Sequence, residues 1–160
     1  MTVMSSIVVV SDRILAGERP NAAARQCAER MAAEGLAEPA VRVVREAREA
    51  VEEAIRQALD AGHRLVLVLG GSGFRAGNDA PEAARAFIDV ELPGVAESIR
   101  AHGLSHTLTA SLSRAVAGLT ARDHTGALIV TSPGSKGGAS DTLDVLLPLV
   151  DRIFAQLDEV

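Results

Sequence analysis

Tryptophan and tyrosine are absent from this chain of 160 residues, and its whole aromatic complement is Phe74, Phe87 and Phe154. Proteins that hold single-stranded nucleic acid stack bases on several aromatic faces, so that class is disfavoured. A net charge of −5 argues the same way, because binding a phosphate backbone takes concentrated Lys and Arg. No nucleic-acid partner is expected. A local anion site stays open, since backbone N–H groups supply one without net charge. Cysteine is nearly absent too. With Cys27 alone no intrachain disulfide forms, which favours a cytoplasmic setting, and the residue reads as a small buried helix side chain rather than a nucleophile. Long apolar runs are lacking as well. Ile7–Val10 is far too short to span a bilayer, no basic stretch leads into an apolar secretion segment, and no membrane partner is expected.

Two phosphate-binding patterns are also missing. Neither glycine-rich segment has Walker A spacing, and no G-x-G-x-x-G follows the first strand, so a P-loop kinase and a dinucleotide-binding dehydrogenase are disfavoured. Histidine offers little: His102 and His106 have helical spacing, but Gly103 reads as an interruption and no Cys or third His lies near. Zinc is not expected. His63 and His124 flank strand starts and read as surface residues.

What is present is a globular composition, 48% hydrophobic and 23% charged, in the size range of one domain over residues 1–160. Ile7–Val10 and Leu65–Leu69 are continuous β-branched and leucine runs, the pattern of strands buried on both faces of a parallel sheet. Shorter strands are predicted at Val41–Val44 and Leu128–Val130. Helices are predicted over about 22–33, 46–61, 82–90, 95–101 and 139–157, the second with Val51, Ile55 and Leu59 on one face. Its charged residues read as a solvated face with i, i+3 and i, i+4 ion pairs. A polar loop is expected between Ser11 and Pro20. Strands alternating with helices give an α/β fold, a three-layer sandwich whose mostly parallel sheet carries helices on both faces.

In such sheets ligands bind beyond the carboxyl ends of the strands. Three segments fall there: Ser11-Asp12, Gly70–Asp79 and Pro133–Gly138. Glycine lets the backbone approach a ligand, and the amides of Gly70, Gly71, Ser72 and Gly73 are expected to face a pocket. Asp12, Asp79, Ser11, Ser72 and Ser135 add groups suited to phosphate or metal.

Taken together, Ser11-Asp12 with Gly17, Gly70-Gly71-Ser72-Gly73, Ala80-Pro81-Glu82-Ala83, Glu91-Leu92-Pro93-Gly94, Leu112-Ser113-Arg114 with Gly118, and Ser132-Pro133-Gly134-Ser135 resemble the molybdopterin adenylyltransferase (MogA/MoaB-like) family, which includes the gephyrin G domain. The resemblance spans nearly the whole chain. It implies a homotrimer or hexamer and a reaction in which the terminal phosphate of molybdopterin attacks the α-phosphate of ATP with Mg²⁺. It also implies that Ser11, Asp12, Gly70–Gly73, Ser113, Pro133, Gly134 and Ser135 hold the ligands. The sequence departs from the family pattern at Asn78, with Asp79 beside it, where relatives carry Asp. Ala80 replaces Thr, Asn21 replaces the Asp of the first-loop motif, and Glu46 stands where an Asp is often found. Asn78 and Asp79 are therefore the candidate catalytic pair, and Asp12, Glu46 and Asp79 the candidate Mg²⁺ ligands, magnesium preferring oxygen donors. Lys136 offers a cation to the triphosphate. The alternative is a molybdopterin- or nucleotide-binding protein on the same fold with weakened chemistry.

Overall fold

Both faces of the central strands are apolar in the sequence, and the computed structural model, which describes residues 3–160, buries both. Strand β1 (Ser5–Val10) is followed by a one-turn helix α1 (Asp12–Leu15), helix α2 (Ala22–Ala33), edge strand β2 (Ala40–Val44), helix α3 (Arg48–Asp60) and strand β3 (Leu65–Leu69). Then come α4 (Ala80–Arg85), β4 (Val90–Glu91), α5 (Pro93–Leu104), a 3₁₀ turn (Leu108–Leu112), β5 (Ala117–Leu119), β6 (Leu128–Ser132) and α6 (Lys136–Asp158). The sheet order is β2-β1-β3-β6-β5-β4; the first four strands are parallel, and β5 and β4 are antiparallel additions at one edge.

Alternation along each strand divides the core into two layers. Ile7, Val9, Leu65, Leu67, Leu69, Leu128 and Val130 face α2, α5 and α6, where Cys27, Met31, Leu143, Leu146 and Phe154 complete the packing. Val8, Val10, Val66, Val68 and Ile129 face α3 and α4 through Val51, Ile55, Ala83 and Ala84. This is the expected three-layer sandwich. Cys27 is fully buried, and desolvation pushes its thiol up to about 11, which removes it as a nucleophile.

Several local expectations change. The loop after β1 begins with a helical turn, because Ser11 caps it by accepting from the Ile14 amide (3.1 Å). The helix expected to reach Val90 ends at Arg85, and Val90 instead pairs with Leu119 in a short ladder. Helix α5 starts at Pro93 and runs through Gly103. Helix α6 starts at Lys136, three residues before the predicted Ala139, with Ser135 as its cap. The antiparallel strands escaped the sequence reading because two- and three-residue strands are too short for a hydrophobic period to register.

Candidate functional site

Strands β1, β3 and β6 are neighbours and parallel, so their carboxyl ends bring the three anticipated loops to one edge of the sheet. The crossover from β1 to β2 goes one way and β3 lies the other, which makes this the switch point of the sheet. The loops after β3 and β6 are almost fused. The Gly70 amide donates to the Ser132 carbonyl (2.9 Å), continuing the ladder past Leu69. Gly70 holds φ +97°, and a Cβ there would lie 2.5 Å from the Val10 carbonyl oxygen; a Cβ on Gly134 would lie 3.2 Å from Gly70 Cα. Only glycine allows this approach of backbone to backbone.

The loop from Gly70 to Asp79 is held closed from within. Ala80 N–H donates to the Gly71 carbonyl (3.0 Å), and Gly73 N–H donates to Asn78 Oδ1 (3.2 Å). The amides of Gly70 and Gly73 are therefore spent inside the protein, contrary to the expectation that all four face a ligand. Those of Gly71 and Ser72 have no intramolecular partner among the described residues. Arg114, which the sequence offers only as part of Leu112-Ser113-Arg114 and with no assigned role, organises this loop. Its guanidinium donates to the carbonyls of Gly73 (2.8 Å) and Asn78 (2.7 Å) and forms a bidentate pair with Glu82 (2.9 Å on both arms). Arg114 N–H also donates to the Ser72 carbonyl (2.8 Å). One side chain thus clamps both ends of the loop to the start of α4. Hydrogen bonding from Arg114 holds the Glu82 carboxyl below its usual range.

Asp12 and Glu46 are brought together by the pairing of β1 with β2. Glu46 N–H donates to Asp12 Oδ1 (3.0 Å) and Asp12 N–H donates to Glu46 Oε2 (3.2 Å). Each exposed carboxylate keeps one oxygen free, giving a pair of hard oxygen donors that fits Mg²⁺ with water and phosphate as the other ligands. Asp79 precedes α4 without capping it and lies in the field of Arg48 and Arg114. Asn21 precedes α2; its Oδ1 is buried and has no hydrogen-bond partner.

A cleft of about 700 Å³ opens over these loops, lined by Ser11, Gly70, Gly71, Gly134, Ser135, Glu46 and the foot of α2. Four cations, Arg13, Arg19, Arg75 and Lys136, border it against the single carboxylate of Glu46. Among the described residues Arg19, Arg75 and Lys136 have no ion-pair partner, and Arg13 reaches Glu18 only at 3.9 Å. In a chain of net charge −5 this is a local reversal of sign, suited to a polyanion. Ser135 heads the 23-residue α6, whose N-terminus adds a positive dipole end. The three arginines were missed because they are scattered in sequence; only Lys136 had been singled out.

On the other side of the Gly134-Ser135 loop lies a second cleft of about 450 Å³, between α5, the 3₁₀ turn and α6. Ser113, Pro133 and Ser135 line it, so three anticipated ligand residues face this cleft and Ser135 borders both. Ser113 Oγ accepts from the Ala115 amide (3.2 Å). His102 and His106 meet Asp141 and Asp144 of α6 here.

The family "Probable molybdopterin binding domain" matches residues 6–152. Among solved structures, a Corynebacterium diphtheriae protein attributed to molybdenum cofactor biosynthesis is 40% identical at TM-score 0.90, with 99% of each chain covered. The molybdopterin biosynthesis enzyme MoaB of Thermus thermophilus is 32% identical at TM-score 0.88, covering 99% of this chain and 98% of that one. The molybdopterin adenylyltransferase of Haemophilus influenzae is 32% identical over 104 residues, 64% of this chain and 51% of that protein. The chain spans about half or less of the length of the curated relatives it matches.

Proposed function

Because the chain belongs to the molybdopterin-binding domain family of molybdenum cofactor biosynthesis proteins, we propose that it transfers AMP from ATP to molybdopterin in its cation-rich cleft. The observation that carries this reading is the set of four cations around glycine loops at the switch point of the sheet. In the reaction, an oxygen of the molybdopterin terminal phosphate forms a bond to the α-phosphorus of ATP. The bond between that phosphorus and the α–β bridging oxygen breaks, and pyrophosphate leaves with the electron pair. The attacking phosphate has a second pKa of about 6 and is already mostly ionised at neutral pH, so no general base is required. Repulsion between anions and the need for alignment make the barrier.

The chain's own groups answer those demands. Arg13, Arg19, Arg75 and Lys136 lower the repulsion, and the free amides of Gly71 and Ser72 with the α6 N-terminus orient phosphate oxygens. Asp12 and Glu46 are the carboxylates suited to hold Mg²⁺, which when bound neutralises part of the triphosphate charge. Asp79 is a further acid beside the family's acidic position, which Asn78 occupies, and Asn78 acts by holding Gly73. Cytoplasmic residence and assembly into a homotrimer or hexamer belong to the same reading. Leu104, Leu108 and Leu112, all exposed along the end of α5 and the 3₁₀ turn, provide an apolar surface for it. Pyrophosphate release with molybdopterin, ATP and Mg²⁺ tests the chemistry, and saturable ATP binding without release would reject it.

One observation favours a second reading, a protein that binds molybdopterin or nucleotide with little turnover. Asn78 Oδ1 is neutral and already accepts from Gly73, so the position gives a metal no charge and an oxygen shared with the loop. Binding isotherms that survive Mg²⁺ removal, with no pyrophosphate formed, would support that reading.

A further inference from the structure

Helix α5 runs through Gly103 because that glycine lies against a neighbour rather than at a break. A Cβ there would stand 2.8 Å from Ala110 Cβ and 3.6 Å from Asp141 Oδ2. The missing side chain lets α6 and the 3₁₀ turn approach the end of α5. After Leu104 the chain tightens, with the His106 amide donating to the Gly103 carbonyl (2.9 Å), and this swings His106 over the same spot as His102.

Asp141 of α6 enters from the facing helix. Its side chain is 12% exposed, yet its only ion-pair partners among the described residues are His106 Nδ1 (2.9 Å) and His102 Nε2 (3.7 Å). A histidine carries charge only when protonated, so Asp141 has no permanently charged partner among the described residues. The two imidazole rings are edge-on at 5.4 Å between centroids, and the three ligand atoms all lie within 4.8 Å of one another. Four donors at tetrahedral angles around zinc are separated by about 3.3 Å for bonds of about 2.0 Å. The observed 2.9 and 3.7 Å bracket that spacing. Asp144 Oδ2 stands 2.9 Å from His102 Nε2, while Arg30 holds its other oxygen at 2.8 Å.

The geometry points to a binding site for a borderline divalent transition ion, Zn²⁺ or Co²⁺, on His102, His106 and Asp141, with its remaining position open to the second cleft or to Asp144. Two imidazoles and a carboxylate suit such ions and not Mg²⁺, whose preference is for oxygen. This site is therefore chemically distinct from the Asp12 and Glu46 pair and does not depend on adenylyl transfer.

The test uses the full chain stripped with a chelator and titrated with Co²⁺ in buffer containing millimolar Mg²⁺, followed by visible absorption. One ion per chain should bind with the intense visible bands of four-coordinate Co²⁺, and Zn²⁺ should displace it. His106→Gln, at a half-exposed position that leaves the core intact, and Asp141→Asn should each weaken binding on the order of tenfold or more. His63→Gln and His124→Gln should leave it unchanged. Circular dichroism establishes that Asp141→Asn is folded, and His106→Gln decides the matter if it is not. Absence of saturable absorption, displacement by Mg²⁺, or full affinity in the His106→Gln protein would overturn the assignment.

Discussion

The two clefts that share Ser135 are built in opposite ways. The larger is a backbone structure: glycines at the ends of adjacent parallel strands, a Gly71 amide without an intramolecular partner among the described residues, and cations on the rim. The smaller is a side-chain structure, made by imidazoles and carboxylates that two packed helices bring together. In the first, position is set by the sheet and by φ values only glycine tolerates. In the second it is set by helix packing, with Gly103 as spacer. The comparison teaches that the first should be brittle to single atoms and the second tolerant of them.

The largest expected effect comes from adding one methyl group to each. Gly70→Ala places a Cβ 2.5 Å from a backbone oxygen at φ +97° and should lower stability by about 2–4 kcal/mol, read as a drop in thermal midpoint with loss of ATP binding. Gly103→Ala meets only a methyl group at 2.8 Å and gains about 1 kcal/mol of helix propensity, so its net loss should be at most about half as large. Equal losses would refute the contrast.

Next is Arg114→Ala, which removes the clamp on the glycine loop. Because its partner Glu82 is partly exposed, stability should fall only about 1–2 kcal/mol, but ATP affinity should fall more than tenfold as the loop opens. Denaturant melts and isothermal titration on the same samples separate the two. Co²⁺ binding in the second cleft should be unaffected.

Lys136→Ala and Arg75→Ala follow. Each should weaken ATP binding by about tenfold and flatten its salt dependence while leaving the melting temperature unchanged, since among the described residues neither side chain has an ion-pair partner to lose. A stability loss without an affinity loss would assign these cations to the scaffold.

The smallest effect is on pH dependence. Hydrogen bonding from Arg114 lowers the Glu82 carboxyl, and hydrogen bonding from His102, then Arg30, lowers that of Asp144. A carboxylate whose folded value is depressed stabilises the fold above its unfolded value, and that contribution is lost as pH falls through the lower folded one. Between about pH 5 and 3 the wild-type protein should therefore lose slightly more stability than Arg114→Ala, by under about 1 kcal/mol given the exposure of the pair. Parallel pH curves for the two proteins would show that the clamp acts by geometry alone.

Legibility followed the same division. The buried strands at Ile7 and Leu65, the helix over 22–33 and the glycine loops were readable because their signals are continuous in sequence. The Arg114 clamp was not: it spans 41 residues to Gly73 and 32 to Glu82. His102 and His106 were visible as a pair but were set aside on account of Gly103, since Asp141 and Asp144 lie on another helix.

By itself the sequence determined the layers of the sandwich and the loops at its switch point, because hydrophobic period and glycine act over a few neighbouring residues. Only the tertiary structure decided which amides remain free, which cations converge on the larger cleft and which carboxylates meet the histidines. Those outcomes depend on how strands and helices pack, and distances of a few ångströms between segments far apart in the chain leave no local trace.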